Sequence, residues 1–144
     1  MTLKNTENSA IIKIRNTQSA EDTEETVELI TEGKFYKSGD KLYIFYTEED
    51  EGEKTTVMLI AAEDSVTLSR KGSYASKMFY RPGEDTQVVY HTPYGVMTMR
   101  LKTLCVENHL DESGGTLRLL YRLSVNGDEI NNDLTLTVKT ERDE

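Results

Sequence analysis

The chain has 144 residues, with 17 Lys+Arg against 26 Asp+Glu, a net charge of −9 and 36% hydrophobic residues. That length fits one domain, and a chain of this size buries enough surface to hold a core without disulfide or metal staples. The acidic balance argues against a nucleic-acid partner, which needs clustered Lys and Arg, and against an anionic membrane surface.

The single Cys, Cys105, can form neither an internal disulfide nor a zinc site. No apolar run approaches the roughly 20 residues of a membrane helix. Residues 1–8 hold no apolar leader, so the expected compartment is the cytoplasm.

Residues 1–8 and 141–144 are polar and are expected to fray. Between them, apolar and polar residues alternate with the period of half-buried strands. The pattern predicts strands over 12–15 and 26–31, the second after an acidic loop at 21–25. Further strands follow over 41–47, after the turn Ser38-Gly39-Asp40, and over 55–61, after the acidic loop 48–52. Residues 55–62 lack a cap and a 3.6-residue period, so they read as strand rather than helix. Glu63-Asp64 turns the chain into a strand over 66–70.

The second half repeats the theme, with strands over 77–80, 86–90, 96–106, 117–123 and 133–138. Thr92-Pro93-Tyr94-Gly95 and Asn126-Gly127-Asp128 read as hairpin turns, the latter because Asn and Gly accept positive φ. The sum is an all-β chain: a single antiparallel β-barrel of roughly eight to ten strands over residues 1–144. Closure would remove the edges that an open meander leaves unpaired.

Alternation assigns faces, and two charges fall on the apolar face. Leu42, Ile44 and Tyr46 share a face, and Glu48 is next in phase; Val66 and Leu68 share a face, and Arg70 is next. The pattern therefore predicts a Glu48–Arg70 pair lining one end of the barrel. If that pair is fully inside, Arg70→Ala should cost about 3–5 kcal/mol; at a wet surface the cost falls below about 1. Tyr46 and Tyr121 are also in phase with core residues, and Tyr90 shares a face with Val88. With Tyr80 they complete the candidate ligand-binding set: Glu48, Arg70, Tyr46, Tyr80, Tyr90 and Tyr121.

Other chemistry has no carrier. His91 and His109 lack the spacing of metal ligands, no serine sits in a nucleophile elbow, and Lys71-Gly72-Ser73 lacks a phosphate loop's upstream glycine. No catalytic set, metal or cofactor is expected. Cys105, in phase with Met97, Met99 and Leu101, reads as a core thiol.

Several short motifs, in order, carry a family resemblance. They are Tyr46-Thr47-Glu48; residues 66–72; Met78-Phe79-Tyr80 with Pro82-Gly83; and Tyr90-His91-Thr92-Pro93-Tyr94-Gly95 followed by Met97-Thr98-Met99. Gly115, Leu117, Leu119, Tyr121 and Leu123 then alternate, as do Asn132, Leu134 and Leu136. From Ile11 to about Val138 the chain resembles the YwiB-like family of small bacterial proteins, a family of unknown function. The resemblance implies a calycin-like, lipocalin-like barrel and a bacterial cytoplasmic setting. Glu48, Arg70, Gly72, Tyr90, Thr92, Pro93, Gly95 and Tyr121 match its pattern, and none inherits a role.

Two functions compete, ahead of a third, an enzyme whose best candidate would be His91 with Tyr90 or Tyr94 near Arg70. One is a barrel that binds a small amphipathic or anionic molecule, with the anionic group facing Arg70. The other is a packed-core interaction protein whose acidic loops steer a basic protein partner.

Overall fold

The structure is a computed structural model that describes residues 8–140. The expected fraying concerns residues outside that range, except Asn8, which already stands opposite Phe35 in a strand pair. Ten strands follow one another: β1 (Asn8–Ala20), β2 (Thr23–Ser38), β3 (Lys41–Asp50), β4 (Glu53–Ala61), β5 (Val66–Gly72), β6 (Ser76–Tyr80), β7 (Asp85–Thr92), β8 (Gly95–Asp111), β9 (Gly114–Val125) and β10 (Asp128–Thr140). The described residues contain no helix.

All strand pairs are antiparallel, in the order β6-β5-β4-β3-β2-β1-β10-β9-β8-β7. Every neighbour is a sequential hairpin except β1 and β10, which join the two halves of the chain with Ile12 opposite Val138 and Ile14 opposite Leu136. The sheet curls until its outer strands almost meet. One bridge joins them: Ala75 N–H donates to His91 O at 2.9 Å, and His91 N–H to Ala75 O at 2.8 Å. The result is a nearly closed barrel.

Period-2 alternation produces the core. Inward residues Ile12, Phe35, Ile44, Leu59, Leu101 and Leu117 are fully buried. Burying each such side chain stabilises the fold by about 1.5–3 kcal/mol before entropy is counted. One end of the barrel is filled by Leu42, Ala61 and Val66, and the Asn108 amide donates to Ala62 O there at 2.8 Å.

The strands outrun the sequence pattern. The expected acidic loop 21–25 is a two-residue turn, Glu21-Asp22, and the expected loop 48–52 is the turn Glu51-Gly52. Glu51 and Gly52 take φ of 53° and 84°, which matches the right-handed twist of the flanking strands. Asn126 and Gly127 do the same at 52° and 88°. Glutamates on both faces beyond the core erase the alternation that marks a strand, so the acidic hairpin ends read as loop.

A second correction concerns β8. Thr103 stands opposite Tyr121, but Cys105 stands opposite Leu120, so the register shifts at Leu104. This bulge inverts the phase. Thr103 is fully buried, Leu104 is 46% exposed, and Cys105 comes out of the core onto the outer face beside Leu120. The loop after β6 docks at that point: Gly83 N–H donates to Thr103 O, and Thr103 N–H to Glu84 O.

The wall also divides. β2 pairs with β3 only from Lys34 to Ser38, although it pairs with β1 from Thr23 to Phe35. Among the described residues, the far edge of β2 between Thr23 and Gly33 has no strand partner, and neither does the matching edge of β3 from Tyr46 to Asp50. Gly33 sits at the fork, where a Cβ would run into the Phe45 carbonyl oxygen.

Candidate ligand-binding site

The interior is not filled. A cavity of about 400 Å³ occupies the end of the barrel opposite Leu42 and Ala61. It lies at the lower end of the range of ordinary ligand sites, roughly 300–1,000 Å³. All six residues singled out by parity line it: Tyr46, Glu48, Arg70, Tyr80, Tyr90 and Tyr121. The apolar wall comes from Leu59, Leu68, Met78, Met99 and Leu134, alternating positions on five strands.

β3 and β5 bring the charges together across β4, since Tyr46 stands opposite Val57 and Val57 opposite Arg70. Arg70 Nε donates to Glu48 Oε1 at 3.3 Å, and Nη2 to Oε2 at 3.5 Å. The pair is half-wet, with side chains 20% and 34% exposed. It is looser than the outward pair Arg118–Asp133, whose two bonds are 3.0 and 2.9 Å. Burial alone would lower the Arg70 pKa, but the adjoining Glu48 carboxylate more than reverses this and holds the guanidinium charged.

Tyr46 lies beside the pair. Burial raises its hydroxyl pKa above the ordinary value, and the Glu48 charge adds to the effect, so the phenol stays neutral. Deeper in, Tyr80 donates to Met78 Sδ at 3.3 Å. Burial raises the Tyr80 pKa well above its usual value and raises that of Tyr121. Tyr90 packs against Tyr74 with ring centroids 6.2 Å apart. Tyr43, also on β3, faces outward and stacks on Tyr36 at 5.0 Å, while Tyr94 is exposed at a hairpin tip.

Parity stopped too early on β1. Asn16 and Gln18 continue the inward phase of Ile12 and Ile14, and both line the cavity. Their amides donate to Asn132 Oδ1 at 3.2 and 3.0 Å, and Asn132 Nδ2 donates to Ile130 O at 3.2 Å. A backbone carbonyl can only accept, so it fixes the Asn132 amide and, through it, the other two. Asn16 Oδ1 is left buried without a donor among the described residues. The signal was present in the in-phase positions 16, 18 and 132, all of which carry amides.

His91 is exposed on the outer face. Among the described residues no group of three or more His, Cys, Asp or Glu side chains is arranged to hold a metal ion. No helix among them is long and apolar enough to cross a membrane.

The comparisons with known proteins agree with one another. Residues 12–137 match the family described as a domain of unknown function, DUF1934. The chain is 27% identical over 106 residues to the uncharacterized beta-barrel protein YwiB of Bacillus subtilis (strain 168), covering 74% of each chain. The crystal structure of the Bacillus subtilis ywiB protein superposes with a TM-score of 0.87 at 21% identity, over 94% of both chains.

Proposed function

Since this chain belongs to the DUF1934 family, whose description assigns no activity, we propose its function from the barrel itself: it binds a small amphipathic molecule in the cavity beside Arg70. The observation that carries this reading is the make-up of the cavity. An apolar wall surrounds a few polar anchors (Glu48, Arg70, Tyr46 and Asn16), which is the composition of a small-molecule site. The apolar body of the ligand lies against Leu68, Met99 and Leu134, and its polar end meets the ion pair.

The test is titration with the neutral fluorescent amphiphile N-phenyl-1-naphthylamine. Saturable enhancement at one dye per chain is expected, with loss of the signal in the cavity-filling variant Leu123→Trp. Equal enhancement by both proteins would place the dye elsewhere and reject the reading.

A second reading is supported by the open edge of β2. Its main-chain groups between Thr23 and Gly33, which pair with no other described strand on that side, run beside Glu24, Glu28 and Glu32, which fits an extended basic segment of a partner polypeptide. A synthetic peptide alternating Lys and Val should shift the β2 amide resonances, whereas the same peptide N-methylated at alternate residues should not. Equal shifts from both peptides would reject edge pairing.

A further inference from the structure

Arg70 and Glu48 offer one another two hydrogen bonds at 3.3 and 3.5 Å and keep capacity to spare. A guanidinium has five N–H donors, and a carboxylate has about four acceptor positions. Among the described residues Arg70 Nη1 has no protein acceptor, and the Tyr46 hydroxyl makes no hydrogen bond to another described residue. The Arg70 and Glu48 side chains remain partly exposed where they line the cavity. The cavity thus presents a donor beside an acceptor, on a pair whose charges already cancel.

That balance decides what kind of head group fits. A carboxylate or phosphate placed on Arg70 would stand next to the Glu48 carboxylate and would have to displace it or bear the repulsion at low local dielectric. The turn above adds more negative charge. Asp50 is near enough to Tyr74, the neighbour of Tyr90, to help raise that hydroxyl's pKa after the effect of desolvation. An ammonium would meet the mirror problem at Arg70. A neutral group with a carbonyl and an N–H side by side meets neither, because its oxygen accepts from Arg70 while its N–H donates to Glu48.

We infer that the head group recognised at Glu48–Arg70 is an uncharged amide-type edge, such as a primary carboxamide or lactam, rather than an anion. This rests on the ligand-binding reading above and narrows it to a chemical class, replacing the anionic head that Arg70 suggests when it is read alone. The Asn16–Gln18–Asn132 amide cluster fits the same preference, since it too is polar without net charge.

Calorimetric titration with octanamide and octanoate at neutral pH tests the inference on the intact protein. Octanamide is expected to bind at least tenfold tighter than octanoate. In Glu48→Gln, which keeps the side-chain shape and frees the Arg70 charge, the order is expected to reverse, with octanoate gaining at least tenfold; a thermal melt of the variant checks that it is folded. Octanoate binding as tightly as octanamide to the unsubstituted protein, or no gain of octanoate in folded Glu48→Gln, overturns the amide preference and leaves the ligand-binding reading standing. Binding of neither probe to the unsubstituted protein overturns both.

Discussion

Tyr80 and Tyr121 cross edge to face at the floor of the cavity, with ring centroids 4.8 Å apart and planes at 68°. The geometry sets the positive edge of one ring against the negative face of the other, a contact worth about 0.5–1.5 kcal/mol beyond the area it buries. Tyr80→Ala should therefore cost about 3–5 kcal/mol in a urea melt, as large aromatic truncations in cores do. Tyr121→Phe keeps the ring and should cost only about 1 kcal/mol. Equal losses from the two substitutions would show that the hydroxyl, not the ring, holds the site.

The same rings give a pH dependence. Tyr46, Tyr80 and Tyr121 all have folded-state pKa values raised, chiefly by burial, above the value of about 10 for an unfolded chain. A raised pKa means that the folded state holds its proton more tightly. Stability from these groups is thus fully present below pH 10 and is lost as pH rises above it. In a spectrophotometric titration these three hydroxyls should ionise only as the barrel unfolds.

Arg70 tests the ion pair. Because the pair is partly wet, Arg70→Ala should cost about 1–2 kcal/mol, between the fully buried and the fully exposed limits. Denaturant melts of Arg70→Ala and Arg70→Met separate lost charge from lost packing. A cost of about 3–5 kcal/mol would mean that Glu48 does not reach water once its partner is gone.

How far the residues alone reveal the molecule can be judged strand by strand. All ten strands were visible as alternation, because each buries one face and wets the other. Glu48 and Arg70 were visible because charge on an inward phase is rare. Asn16, Gln18 and Asn132 were not, since an amide in phase reads as the end of a strand until its partners across β10 are known. Nor was the Leu104 bulge: one extra residue reverses every later position, and nothing in the local pattern of residues 103–106 marks it.

Cys105 makes that bulge measurable. On the outer face it should react with Ellman's reagent in the native protein without denaturant. A thiol that continued the inward phase of Leu101 would react only on unfolding, so protection comparable to that of a core residue would contradict the register shift.

Gly33 marks the fork between β2 and β3. Gly33→Ala places a methyl group against the Phe45 carbonyl oxygen, a backbone atom that cannot swing aside. A loss of about 1–3 kcal/mol is expected in a thermal melt, as for other overpacked sites. An unchanged melting temperature would show that the two strands part more widely than the structure has them.

The pairing of β1 with β10 bears on how the chain reaches this shape. Every other strand pair joins sequence neighbours across a short loop, so eight of the nine pairs could zip by hairpins alone, whereas Ala10 must find Thr140. Folding speed falls as contacts span more of the chain, so closure of this one seam is the step expected to limit assembly. Meanwhile the weakest seam, the lone Ala75–His91 bridge, lies mid-chain. A circular permutant opened in the 81–84 loop, with the β1 and β10 ends tethered, would turn the hardest search into another hairpin and should refold faster than the natural connectivity.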